Sequence, residues 1–189
     1  FELPIFLLGH SMGGLIIIRL LQEERLDIAG VILSSPCLGL VHTPSKLKNF
    51  LSYSLNVFFP NFKVESGITV EMATRNNEVR QADLNDSLYV TKVSVRWYRE
   101  LLQAVKQSFI HLEDIQDVPM LVMQGGEDKI VNKDNVREWF NYAPLTEKRF
   151  KEWPKCYHEI FNEPEREDVF EYALDFVLGR LKAIGYVVD

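Results

Sequence analysis

The sequence predicts an α/β fold: a parallel sheet with helices on both faces, interrupted by a helical insertion. Three observations carry this. An apolar run at Ile5–Leu8 leads through Gly9-His10-Ser11-Met12-Gly13-Gly14 into a helix-length stretch, and Val31-Ile32-Leu33 follows after a turn at Asp27–Gly30. Strand, helix and strand with short connections make a βαβ unit, whose strands run parallel. The same grammar returns at Val118–Met123 and Lys148–Trp153, each leading toward a helical segment, and it is absent between them and the first unit. The core is therefore read as residues 1–37 and 113–189, and the insertion as 38–112.

Taken in order, Leu3–Leu8 reads as a first, fully buried strand and Gly14–Glu24 as the first helix, with Arg19, Glu23 and Arg25 on its wet side. Val31–Leu33 is the second strand, closed by Ser34-Ser35-Pro36. The insertion opens with a dense apolar stretch, Phe50, Tyr53, Leu55, Val57, Phe58, Phe59 and Phe62, broken by Pro60. Two readings stay open for it: ordinary core packing, or a cap that lines an apolar path and leaves some residues exposed for an interface. A loop is expected from Thr74 to Asp86. An amphipathic helix is expected over Val90–Phe109, with Val93, Trp97, Leu101, Ala104 and Val105 at helical spacing. After the strand at Val118–Met123 comes Gln124-Gly125-Gly126-Glu127-Asp128, then a helix Asn132–Tyr142 capped by Asn132. A strand Lys148–Trp153, a loop Lys155–Glu159 and a closing helix Glu165–Ala183 complete the chain. That helix is expected to turn Phe170, Leu174, Val177, Leu178 and Leu181 inward.

Charge removes one class of partner. With 21 basic against 27 acidic residues and a net charge of −6, no basic stripe exists to neutralise phosphates, so nucleic acid is not an expected partner. Cys37 and Cys156 lie far apart in no metal-like spacing and read as buried thiols in a reducing compartment. No signal peptide or 18-residue apolar run is evident, so a cytoplasmic location is expected, with peripheral membrane contact through the cap left open. Phe1 opens almost directly onto a core strand, so a preceding portion carrying the sheet's first strands is expected.

The chemistry centres on Gly9-x-Ser11-x-Gly13. A glycine-flanked serine between a strand and a helix has the form of a nucleophile elbow, a strained turn that lifts the hydroxyl above a sheet. Both Gly9 and Gly13 are expected to lack Cβ because the backbone folds back on itself there. The helix that follows points its N-terminus at the serine, so the Met12 N–H is a candidate oxyanion donor. A second donor, worth roughly 3 kcal/mol, is expected from a loop before the elbow strand.

Ser11, Asp128 and His158 all stand at strand ends or just beyond, where side chains converge in an open parallel sheet. A serine hydroxyl needs an imidazole to take its proton, and His158 supplies one. Asp128 would fix the tautomer and stabilise the imidazolium, and losing either partner costs on the order of 10⁴-fold in turnover. Glu127, Asp117 and Asp134 compete with Asp128. Asp134 fits a helix start and Asp117 lies at the wrong end of its strand, so Asp128 is preferred. His10 is assigned a local structural or pocket role, and His42 and His111 structural ones. An aspartate nucleophile is excluded by the residue at position 11.

Gly-His-Ser-Met-Gly-Gly, Gly-Gly-Glu-Asp-Lys-Ile-Val and Tyr-His-Glu-Ile-Phe-Asn-Glu-Pro, with Asn85-Asp86-Ser87-Leu88 in the insertion, together resemble the monoacylglycerol lipase and lysophospholipase group of α/β-hydrolases. The resemblance spans nearly the whole chain. It implies Ser11 as nucleophile, Asp128 as acid, His158 as base and Met12 as oxyanion donor, with no cofactor and no metal. It also implies a lipid ester with one acyl chain as substrate. His10, beside the serine, and Phe58 and Phe59, in the apolar stretch of the insertion, are the candidate substrate-binding residues. The alternatives are a short-acyl carboxylesterase or acyltransferase, and a non-catalytic binding protein on the same fold.

Overall fold

The computed structural model describes residues 3–43 and 45–186, apart from the side chains of residues 46–48. Strands β1 (Phe6–His10), β2 (Gly30–Ser34), β5 (Met120–Gly125) and β6 (Lys148–Trp153) form one sheet in the order β1-β2-β5-β6. Every pairing in it is parallel. Helix α1 (Met12–Glu23) joins β1 to β2, and α6 (Lys133–Tyr142) joins β5 to β6. The chain closes with α7 (Arg166–Ala183).

The alternation of side chains along the strands divides the core in two. Val31, Leu33, Met120 and Val122 face one way and pack with Leu15, Ile18 and Leu21 of α1 and with Val136 and Trp139 of α6. Ile32, Leu121 and Met123 face the other way, against Val169, Ala173 and Phe176 of α7. Because β2 and β5 are covered on both faces, each carries an apolar run, Val31–Leu33 and Met120–Met123, with no polar alternation.

Helix α1 starts on Gly13 and Gly14 and carries three isoleucines in a row, a composition of modest intrinsic helix propensity. It holds because Leu15, Ile18, Leu21 and Gln22 fall on one face and are buried. Helix α6 begins where expected: the Asn132 side chain accepts hydrogen bonds from the N–H groups of Asp134 (2.9 Å) and Asn135 (3.3 Å).

Between β2 and β5 lie α2 (Lys46–Phe58), β3 (Lys63–Glu65), α3 (Val70–Ala73), α4 (Asn77–Leu84), β4 (Lys92–Ser94) and α5 (Val95–Ile110). The strands β3 and β4 form an antiparallel pair that the sequence pattern did not announce, because three-residue strands carry too little alternation to read. Their pairing delays the long helix, which starts at Val95 after Ser94 caps the N–H of Trp97. The expected loop at 74–86 contains α4, a polar helix with no buried residue, started by the side chain of Asn76. Hydrophobic periodicity cannot find such a helix; its cap can.

Three burial expectations are corrected. The first strand is not fully buried: β1 is the sheet's edge among the described residues, and Leu8 is 56% exposed. The core-packing reading of the aromatic stretch fails, since Phe50, Tyr53, Val57, Phe58, Phe59 and Phe62 are all exposed. In α7 the inward face is Val169, Ala173 and Phe176, while Phe170 and Leu174 are exposed and Val177 packs partly buried against that core. This helix is apolar on two faces, and spacing alone does not say which one meets the sheet.

Among the described residues no helix is long and apolar enough to cross a membrane. Both cysteines are buried and free. Burial pushes their thiols up, to about 11 for Cys37 and about 12 for Cys156, so neither is a reactive thiolate at neutral pH.

Candidate active site

Ser11 sits between the end of β1 and the start of α1 with φ 52° and ψ −118°, a conformation that costs a non-glycine residue on the order of 1–3 kcal/mol. The surroundings hold it there. Its N–H donates to the Ser34 carbonyl at 2.9 Å, and its own carbonyl accepts from Leu15 N at 3.2 Å and Cys37 N at 2.9 Å. Of the two glycines expected to be obligatory, one is. A Cβ on Gly9 would lie 2.6 Å from the Gly13 carbonyl oxygen, whereas a Cβ on Gly13 meets nothing within 4 Å among the described residues.

Asp128 follows β5 by three residues, and its side chain is fully buried. Its carboxylate is saturated. Oδ1 accepts the N–H groups of Ile130 and Val131, each at 2.9 Å. Oδ2 accepts from Gln124 Nε2 at 2.8 Å and from His158 Nδ1 at 2.9 Å. Burial works to raise the carboxyl pKa, but the hydrogen bonds and charge of His158, with those two backbone donors, outweigh it and hold the group below its ordinary value.

His158 comes from the loop after β6, is 4% exposed and completes the chain: its Nε2 lies 2.8 Å from Ser11 Oγ. The ionised Asp128 can only accept, so Nδ1 carries the proton and Nε2 is left free to accept the serine O–H. Ser11, Asp128 and His158, proposed from the sequence, are thus brought into one hydrogen-bonded line. Met12 heads α1, so the helix holds no carbonyl four residues back to accept its N–H.

His10 does not hang away from the site. Its ring stacks at a tilt on His158, centroids 4.7 Å apart, and its Nδ1 lies 3.0 Å from Ser34 Oγ. Burial chiefly, with the neighbouring His158, lowers its pKa to about 4, against a smaller raising effect of Asp128. Phe58 and Phe59, by contrast, lie at and just past the exposed end of α2, and among the described residues no hydrogen bond or ring contact ties them to Ser11, Asp128 or His158. Of the residues that compete with Asp128, Asp117 holds Thr146; His111, assigned a structural role, pairs with Asp114 on the surface.

Three supporting residues escaped the sequence reading. Ser35, at φ 42°, donates its hydroxyl to the His158 carbonyl at 2.8 Å. Gln124 reaches Asp128 from the floor of the site. Glu163, fully buried, accepts from Arg75 N (2.8 Å), Arg75 Nε (2.6 Å) and Tyr157 N (3.3 Å), joining the insertion to the loop that bears His158. A glutamine in an otherwise apolar strand was the one legible signal among them.

Comparison with known proteins places the chain among hydrolases. The profile of the family described as serine aminopeptidase, S33, matches residues 2–165. The chain is 54% identical to a protein named phospholipase YtpA from Bacillus subtilis, over 93% of this chain and 68% of that protein. It is 28% identical to the monoglyceride lipase of Rattus norvegicus, over 86% of this chain and 54% of that one. The crystal structure of the Paleococcus ferrophilus monoacylglycerol lipase superposes with a TM-score of 0.86 at 25% identity, over 94% of this chain and 69% of that one.

Proposed function

Since the chain belongs to the family described as serine aminopeptidase, S33, we propose that it acts as a serine hydrolase on the carboxylic ester of a single-acyl-chain lipid, a monoacylglycerol or a lysophospholipid. The observation that carries this is the unbroken line Ser11–His158–Asp128, at 2.8 and 2.9 Å. The names of the relatives support a lipid ester over the peptide bond in the family's description.

In this reading His158 Nε2 takes the proton of Ser11 as Oγ attacks the ester carbonyl, and the imidazolium is stabilised by Asp128. The oxyanion that forms is met by the Met12 N–H at the positive end of α1. His158 then returns the proton to the departing alcohol, leaving an acyl group on Ser11. Water, activated by the same imidazole, releases the fatty acid. The insertion (38–112) acts as a cap over a core made of 1–37 and 113–189. Its exposed Phe50, Val57, Phe58 and Phe59 offer an apolar face for contact with a lipid surface.

The test is labelling with a fluorophosphonate in the whole protein and in Ser11→Ala, followed by a chain-length series of glycerol and lysophospholipid esters. Labelling lost in the mutant, with turnover highest on long single chains, is expected. An unlabelled parent rejects the hydrolase reading, and a preference for short acyl chains makes it a simple carboxylesterase. As a further arm, Phe58→Ser/Phe59→Ser should weaken binding to phosphatidylcholine vesicles while sparing hydrolysis of a short water-soluble ester. Unchanged vesicle binding removes the surface-contact role.

A further inference from the structure

Strand β5 reads Met120-Leu121-Val122-Met123-Gln124-Gly125, and all six positions are buried. Met120 and Val122 share a strand face with position 124 and pack into the larger core, so an aliphatic side chain is what this position calls for. It holds a glutamine instead, fully buried. The amide Nε2 donates to Asp128 Oδ2 (2.8 Å) and to the Gly125 carbonyl (3.2 Å). The amide oxygen finds no hydrogen-bond donor among the described residues. Turning the amide over would set that oxygen against two acceptors, so the chemistry fixes its orientation. An amide oxygen buried in this way destabilises a fold.

We propose that Gln124 is a positioning residue: it orients the Asp128 carboxylate as Asp128 orients His158, at the expense of fold stability. Two backbone N–H groups hold Oδ1. Gln124 occupies one side of Oδ2, so the lone pair that remains points at His158 Nδ1. Without the amide the carboxylate keeps its backbone anchors but loses the contact that fixes Oδ2, and the imidazole inherits that freedom. This rests on the hydrolase reading above.

The test compares parent, Gln124→Met and Gln124→Glu in the whole protein, by steady-state hydrolysis of p-nitrophenyl butyrate, fluorophosphonate labelling rate and thermal unfolding. Methionine keeps the volume and removes the donor. Glutamate keeps the shape and, assayed above the pH at which it and Asp128 give up the proton two such close carboxyl groups share, puts an acceptor where Asp128 needs a donor. The expected result is a kcat about 10-fold lower for Met and lower again for Glu, with KM within about twofold and Tm of the Met variant equal to or above the parent's. A structural role would move the other way: Tm and kcat of the Met variant would fall together, and that outcome overturns the proposal. So would a Met variant with the parent's kcat, or a Glu variant at least as active as the Met one. A parent that fails to label sinks the hydrolase reading and this proposal with it; a labelled parent matched by Gln124→Met sinks the proposal alone.

Discussion

The residue with the most to say about pH is His10. Held neutral by burial and by His158, it has a pKa of about 4 in the fold against 6.5 in a free chain. Its neutral form is the one the fold favours, so the unfolded chain binds the extra proton and stability falls as pH drops from about 6.5 to about 4. A shift of that size corresponds to roughly 3 kcal/mol at the acid end of the window. Asp128 acts over a different, lower window: its pKa is depressed, so its contribution is present above the ordinary carboxylate value and is lost only as pH falls through the folded one. Urea unfolding at pH 7, 5.5 and 4 is therefore expected to show a shallower acid loss for His10→Asn than for the parent. Equal losses would mean that other groups carry the acid sensitivity. At this scale the sequence was informative about which residues meet in the Ser11–His158–Asp128 line and silent about what holds them. Ser11, Asp128 and His158 announce themselves by residue type at strand ends. Ser35 and Glu163 do not, because an ST hydroxyl or a carboxylate gains its meaning only from a partner more than 80 residues away.

Among the elements, Gly13 and Gly125 make opposite demands. Gly13 lies in the first turn of α1 with open space where a Cβ would stand. Gly13→Ala should therefore leave activity intact and stabilise the protein by up to about 1 kcal/mol through helix propensity. Gly125 ends β5, and a Cβ there would come within 2.0 Å of the Tyr157 carbonyl oxygen. Gly125→Ala must push the loop that carries His158, and a displacement of about 1 Å at a reacting group costs on the order of 100-fold. Thermal unfolding and esterase assays of both variants decide the matter; an active Gly125→Ala would show that the loop yields without penalty. The elements themselves were legible in proportion to their periodicity. The strands and α6 fell nearly where expected, because β2 and β5 each carry an apolar run, Val31–Leu33 and Met120–Met123, and Asn132 is a visible cap. The face of α7 was misread because Phe170 and Leu174 repeat at the same spacing as Val169, Ala173 and Phe176. The β3–β4 pair and α4 were missed because neither buries an apolar stripe.

At the scale of the whole molecule, the sheet and the helices packed on it share their fold with a monoacylglycerol lipase, and residues 38–112 carry most of the exposed large apolar side chains among the described residues. The two are joined at several places, among them the Ser108 carbonyl, which accepts from Gln22 and Trp139, and a cluster beside the loop that bears His158. Arg75 meets Glu163 and Glu165, the Ala73 carbonyl accepts from Glu159 N at 2.8 Å, and Thr74 Oγ1 donates to the Asn162 carbonyl at 3.2 Å. Length of chain matters as well: 147 residues separate Ser11 from the imidazole that its hydroxyl meets. Contacts of such sequence separation form late, after local helices have appeared, because the loop between them must first be closed at an entropic cost. During refolding from urea, helical circular dichroism should therefore recover ahead of fluorophosphonate reactivity, and simultaneous recovery would show that the sheet and its last loop assemble in one step. Reactivity thus serves as a clock for the final docking of β6, and a protease present during that interval meets a chain whose helices are formed while Ser11 still lacks its hydrogen bond to His158.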